Sequence, residues 1–105
     1  MAEKEYTTFE EFYPYYLDQH RHTGTRVTHF VGTSLFFLLV ITAIIEREIL
    51  FLPAGIVSAY LFAWIGHFFI EKNKPATFKY PWMSLKGDFK LYFEILTGKQ
   101  GFKAN

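Results

Sequence analysis

Apolar positions gather into two long runs, Val27 to Ile45 and Ile49 to Ile70, separated only by Glu46-Arg47-Glu48. A helix needs roughly 20 mostly apolar residues to cross a bilayer, and both runs meet that length when histidines are allowed at their ends. Neither run carries the polar face of an amphipathic helix packed on a soluble core. A chain of 105 residues cannot cover two such helices on every side. The pattern therefore predicts a transmembrane helical hairpin over 27–45 and 49–71. Pro53 falls in the first turn of the second helix, where its missing N–H costs little. Gly55, Ala59, Ala63 and Gly66 form a stripe of small residues that lets a neighbour approach closely. That neighbour is either the first helix or a second copy of the chain.

The flanks read differently. Thr8 and Glu11 have the spacing of a capping box. Phe9, Phe12, Tyr16 and Leu17 form an apolar face behind it, and Pro14 is expected to kink or restart that helix. Beyond the hairpin, Leu85, Phe89, Tyr92, Phe93 and Leu96 share one face, with Lys86, Asp88 and Lys90 towards the other. Amphipathic segments of this kind suit a membrane surface, and Tyr80-Pro81-Trp82 suits headgroup depth. The expected fold is all-α: an integral membrane hairpin of two transmembrane helices flanked by amphipathic interfacial helices. It forms one domain over 1–105, with helices at 8–22, 27–45, 49–71 and 84–98.

Composition removes several functions. The absence of cysteine excludes disulfide frameworks, thiolate zinc sites and iron–sulfur clusters. A formal charge of +1 gives no reason to propose a nucleic-acid partner. The opening MAEKEYTTFEEF lacks the basic-then-apolar order of a signal peptide. Lys4, Arg21 and Arg26 precede the first run, seven lysines follow Ile70, and the connection holds Arg47 alone. The positive-inside rule then places both termini in the cytoplasm.

The candidate chemistry lies at the ends of the runs. HRHTGTRVTH, residues 20–29, holds three of the four histidines. His29 opens the first run and His67 closes the second, so an antiparallel hairpin brings them, with His20 and His22, to one layer. Glu71 follows His67 by four residues, which on a helix is the same face. Imidazoles plus a carboxylate, with no thiol, make a site suited to iron, zinc, manganese or copper. Ionisable residues at membrane depth mark function. Two other readings stay open: a haem held by His29 and His67 as paired axial ligands, and a non-catalytic lipid-binding hairpin whose histidines serve the interface.

Two blocks carry a family resemblance: Tyr16 followed by His20-x8-His29-x-x-Gly32, and GHFFIEKNKPAT from Gly66 to Thr77. From FYPYYLDQH to the C-terminal amphipathic segment, the chain resembles the 2-hydroxy fatty acid dioxygenases. These are iron-dependent membrane proteins of the fungal endoplasmic reticulum, with short bacterial relatives. The resemblance implies Fe2+ held by His20, His29 and His67, with Glu71 as a fourth ligand or as the acceptor that orients a histidine. His22 stands where fungal members have asparagine and is not an expected ligand. The implied reaction joins a 2-hydroxy fatty acid with O2 and yields the acid one carbon shorter, CO2 and water, without nicotinamide or flavin. Arg26, Lys72 or Lys74 would neutralise the substrate carboxylate, and the acyl chain would lie along the hairpin in lipid. Asp88 is read as a solvated helix residue in preference to an orienting group. Fungal members insert further membrane helices between the two blocks. The minimal hairpin here makes a homodimer one way to enclose substrate, in a bacterial inner membrane or the endoplasmic reticulum.

Overall fold

The computed structural model describes residues 5–103; Lys4, one of the charges used for orientation, lies outside them. Among the described residues all regular structure is helical. Helix α1 spans Phe9–Asp18, α2 Thr23–Glu46, α3 Phe51–Ile65 and α4 Pro81–Leu96. A π-helical turn, Gly66–Glu71, extends α3, and a short 3-10 turn, Ala76–Phe78, leads towards α4.

Helices α2 and α3 form the hairpin. With its π extension the second arm runs to 21 residues against 24 for α2, and both are long and apolar enough to cross a bilayer. The stripe of small residues faces the first helix. A Cβ on Gly32 would lie 3.0 Å from the Ala59 carbonyl oxygen, and one on Gly55 would lie 3.3 Å from Leu39 Cβ. Backbones this close leave no room for larger side chains. At the turn, Arg47 takes a left-handed conformation (φ 53°), and its N–H closes onto the last carbonyls of α2.

Element boundaries shift for local reasons. Helix α2 begins at Thr23, four residues before the apolar run, because its polar first turn is packed: Thr25 and Arg26 are buried. Helix α4 starts at Pro81, whose fixed φ suits a first helical position. The expected 8–22 helix ends at Asp18, and Pro14 lies inside a continuous α1 without restarting it. The carbonyl left without its usual donor belongs to Glu10, an exposed residue, so it is open to solvent and not orphaned in the core. Thr8 caps the helix by accepting from the Glu11 N–H at 3.2 Å.

The aromatic faces of α1 and α4 turn onto protein. Phe12, Tyr13 and Tyr16 of α1 form a buried cluster with Leu91 of α4 and Ala76. Gly87 makes that contact possible, since a Cβ there would lie 2.9 Å from the Tyr16 ring. The other side of α4 lies against α2: Tyr92 stacks on Phe30 at 4.7 Å, and Phe89 packs on Phe36 and Phe37. Helices α1 and α4 therefore brace one end of the hairpin.

Candidate metal centre

Three histidines from three elements converge at the braced end. His20 follows α1, His29 lies in the second turn of α2, and His67 sits in the π turn. All three are buried, and one nitrogen from each falls within 4.8 Å of the others. The ring centroids are 4.4, 4.5 and 4.9 Å apart, each pair close to perpendicular. Gly66 allows the approach, because a side chain there would run into the Thr28 hydroxyl and Thr25.

Each ring is fixed through its Nδ1. His20 Nδ1 lies 2.6 Å from the Tyr16 carbonyl oxygen, and His29 Nδ1 lies 2.9 Å from that of Thr25. His67 Nδ1 donates to Asn73 Oδ1 at 2.7 Å. Asn73 is held in turn, because its amide donates to the Gln19 carbonyl and side-chain oxygens, each at 3.1 Å. Lys72 adopts a left-handed conformation (φ 64°), which folds the chain back so that Asn73 N–H reaches the His67 carbonyl at 2.9 Å. With every Nδ1 donating to oxygen, each imidazole presents an unprotonated Nε2 towards the centre.

That arrangement asks for a cation. His20 Nε2 and His29 Nε2 are 3.0 Å apart, and two lone pairs facing at this distance repel in a buried site. A metal–imidazole bond of roughly 2.0–2.1 Å places adjacent ligand nitrogens about 3 Å apart, which matches. Protonation is a poor substitute, because burial, reinforced by the neighbouring rings of His29 and His67, pushes the His20 pKa well below its ordinary value. The donor set fits a divalent transition metal.

The remaining expected site residues are placed elsewhere. Glu71 lies outside the ligand group: its carboxylate accepts from the His22 backbone N–H at 2.9 Å and sits 3.7 Å from the His22 ring. The π turn changes the rotation per residue, so the four-residue spacing no longer reads as an α-helical pair. Asn73 has the orienting role expected of Glu71. His22 caps α2 with its ring mostly exposed. Arg26 is buried, and its guanidinium donates to the carbonyls of His20 and Gly101 and to Gln100. It thus ties the C-terminal segment to the site. Lys72 and Lys74 are exposed and line none of the cavities beside the histidines.

A water-sized cavity of about 10 Å³ separates the histidines from α4 and is lined there by Ser84 and Asp88. Next to it a larger cavity of about 300 Å³ runs between α2, α3 and α4, from His29 and Ala63 to Phe36 and Ile56. Its walls are almost wholly apolar, and Asp88 and Tyr60 border both spaces. Asp88 accepts from the Tyr16 hydroxyl, and Tyr16 stacks on the His20 ring at 4.0 Å. Burial pushes the Asp88 carboxyl up to about 7, against the lowering effect of the Tyr16 hydrogen bond. Asp88 is therefore not a solvated helix residue. Its trace in the sequence is Gly87, a glycine inside a helix that turned out to seat Tyr16.

A haem between His29 and His67 has no room, because the His20 ring occupies the space a macrocycle would need. Comparison with known families gives one match: a model described as 2-hydroxy-palmitic acid dioxygenase Mpo1-like covers residues 6–100. No curated protein and no solved structure matches.

Proposed function

The chain belongs to the Mpo1-like family, described as 2-hydroxy-palmitic acid dioxygenases, and from that premise we propose that it is an iron-dependent dioxygenase of fatty acid alpha-oxidation. It joins a 2-hydroxy fatty acid with O2 and releases the acid one carbon shorter, CO2 and water. The substrate supplies all four electrons that O2 takes up, so no further reductant enters. The observation that carries this reading is the convergence of three buried Nε2 atoms at the end of an apolar cavity. Ferrous iron, when bound there, supplies oxygen activation at coordination positions the three imidazoles leave open.

The chain's own residues do the rest. Tyr16, Thr25 and Asn73 hold the three rings in the ligating tautomer. The cavity along Thr33, Phe36, Ala59 and Ile56 receives the acyl chain next to the metal and keeps water from it. Glu71, by holding the start of α2 to the π turn, keeps His29 and His67 in register and serves as a positioning residue. Arg26 does the same for His20 and the C-terminal segment, and Lys72 and Lys74 lie where they attract an anionic headgroup to the surface. The hairpin crosses a bilayer with both termini on the cytoplasmic side. One chain lines this cavity but leaves it partly open, and a second copy or lipid completes its enclosure by this reading.

The test is direct. Protein purified in detergent without oxygen is assayed for bound metal, then given 2-hydroxypalmitate and O2. Iron binding and formation of the fifteen-carbon acid are expected. Absence of turnover with iron loaded would defeat the proposal. A lipid-binding hairpin without chemistry predicts instead that alanine at His29 or His67 leaves metal content and lipid turnover unchanged.

A further inference from the structure

Ser84 is buried, and its hydroxyl has no hydrogen-bond partner among the described residues. An unpaired hydroxyl in a dry interior costs free energy that alanine would avoid. Its place explains it: Ser84 lines the small cavity together with His20, His29 and His67. One helical turn further along α4, on the same face, is Asp88, which lines that cavity and the larger apolar one. One Asp88 oxygen accepts from the Tyr16 hydroxyl; the other has no hydrogen bond among the described residues. A donor–acceptor hydroxyl and an open carboxylate oxygen thus stand side by side across the small cavity from three converging Nε2 atoms, where an otherwise apolar channel meets them.

We infer that Ser84 and Asp88 form the recognition wall for the substrate's 2-hydroxyl group, selecting 2-hydroxy acids over unsubstituted fatty acids of the same chain length. The inference rests on the proposed substrate class and assigns its discrimination to α4. Asp88 accepts the hydrogen bond of the 2-hydroxyl, and Ser84 donates to the oxygen of that same hydroxyl, so both groups gain these partners only when a hydroxylated headgroup is present. An unsubstituted acid leaves the open Asp88 oxygen facing apolar groups, and sites built to bond a hydroxyl discriminate strongly against analogues that lack it.

The experiment measures binding without oxygen, on metal-loaded protein in detergent. 2-Hydroxypalmitate and palmitate each displace a fluorescent fatty acid from wild type, Ser84→Ala and Asp88→Asn. The Asp88→Asn change keeps an oxygen for the Tyr16 hydroxyl and replaces the open acceptor with a donor. Wild type is expected to prefer the 2-hydroxy acid by at least about tenfold. Ser84→Ala should reduce that preference several-fold, and Asp88→Asn should nearly abolish it. Metal content and palmitate affinity should stay at wild-type levels, which a merely structural role would not allow. Variants that retain metal and the full preference would overturn the inference, because chelation alone would then account for selectivity. If wild type turns over 2-hydroxypalmitate while the variants keep the preference, this assignment fails and the proposed function stands. If wild type neither prefers nor turns over the 2-hydroxy acid, both fail.

Discussion

The two ends of the hairpin share the same pair of helices and differ in almost everything else. At the base, Thr25, Arg26, His29 and His67 are buried under α1 and α4. At the tip, Ile44, Ile45, Ile49 and Leu50 are each at least 70% exposed. Polar groups are sunk into protein where the two arms are braced, and apolar groups are laid bare where they are not. A soluble protein would arrange the tip the other way. The bare end is apolar surface long enough to cross a bilayer, and at the braced end α1 and α4 cover three imidazoles that the hairpin alone would leave open.

The largest effect should come from removing a ligand at the base. His29→Ala or His67→Ala is expected to abolish metal retention and lower turnover by on the order of 100-fold or more; elemental analysis and product detection check both. His22→Ala, whose ring is exposed, should change neither. If it matched the others, the separation of His22 from the centre would be wrong. Next comes the support beneath the ligands. Asn73→Ala removes the acceptor of His67 Nδ1–H and is expected to weaken metal affinity by roughly 10–100-fold, read by competition with a chelator. Asn73→Asp keeps the acceptor for His67 but sets a carboxylate oxygen against the two Gln19 oxygens, so it should recover only part of that affinity.

A third expectation concerns how the base closes. Gly66→Val would force a side chain into Thr28 and Thr25 and should cost about 1–3 kcal/mol, measured by denaturation in detergent. Gly98 has open space around it but a φ of 83°, so it is not the control. Ile45→Ala at the exposed tip is, and it should leave metal content unchanged.

The last expectation concerns pH dependence. The Asp88 carboxyl titrates near 7 in the folded protein, above its unfolded value of about 3.9. The folded state therefore holds the proton longer, and stability falls as pH rises from about 4 to 7. The slope approaches ~1.4 kcal/mol per pH unit for one proton. Asp88→Asn should flatten that fall relative to wild type. An unchanged profile would show that Asp88 is no more buried than a residue at the tip.

Much of this was legible in the chain. Two apolar runs joined by three polar residues specify a hairpin, and a hairpin brings His29 and His67 to the same end whatever the side chains do. The stripe from Gly55 to Gly66 announced a close helix pair but not its partner; only packing showed it to be α2. The spacing of His67 and Glu71 pointed to a shared face, and a π turn that no local pattern signalled sent Glu71 to His22. Asn73 was missed because its contact with His67 depends on a left-handed Lys72. Ser84 was not singled out and Asp88 was set aside as solvated, because α4 is brought beside the histidines by contacts distant in sequence, such as Tyr16 on Gly87.

The division follows from the range of the forces involved. Hydrophobic run length, the spacing of turns and the supply of nitrogen ligands are properties of the chain read in order. They determined the helical hairpin, its bare apolar surface and the three histidines. Which nitrogen of each ring faces the centre, which carboxylate stands beside it and where the apolar cavity opens depend on hydrogen bonds and van der Waals contacts of a few ångströms between residues far apart in sequence. Those were decided only when α1 and α4 closed over the base of the hairpin.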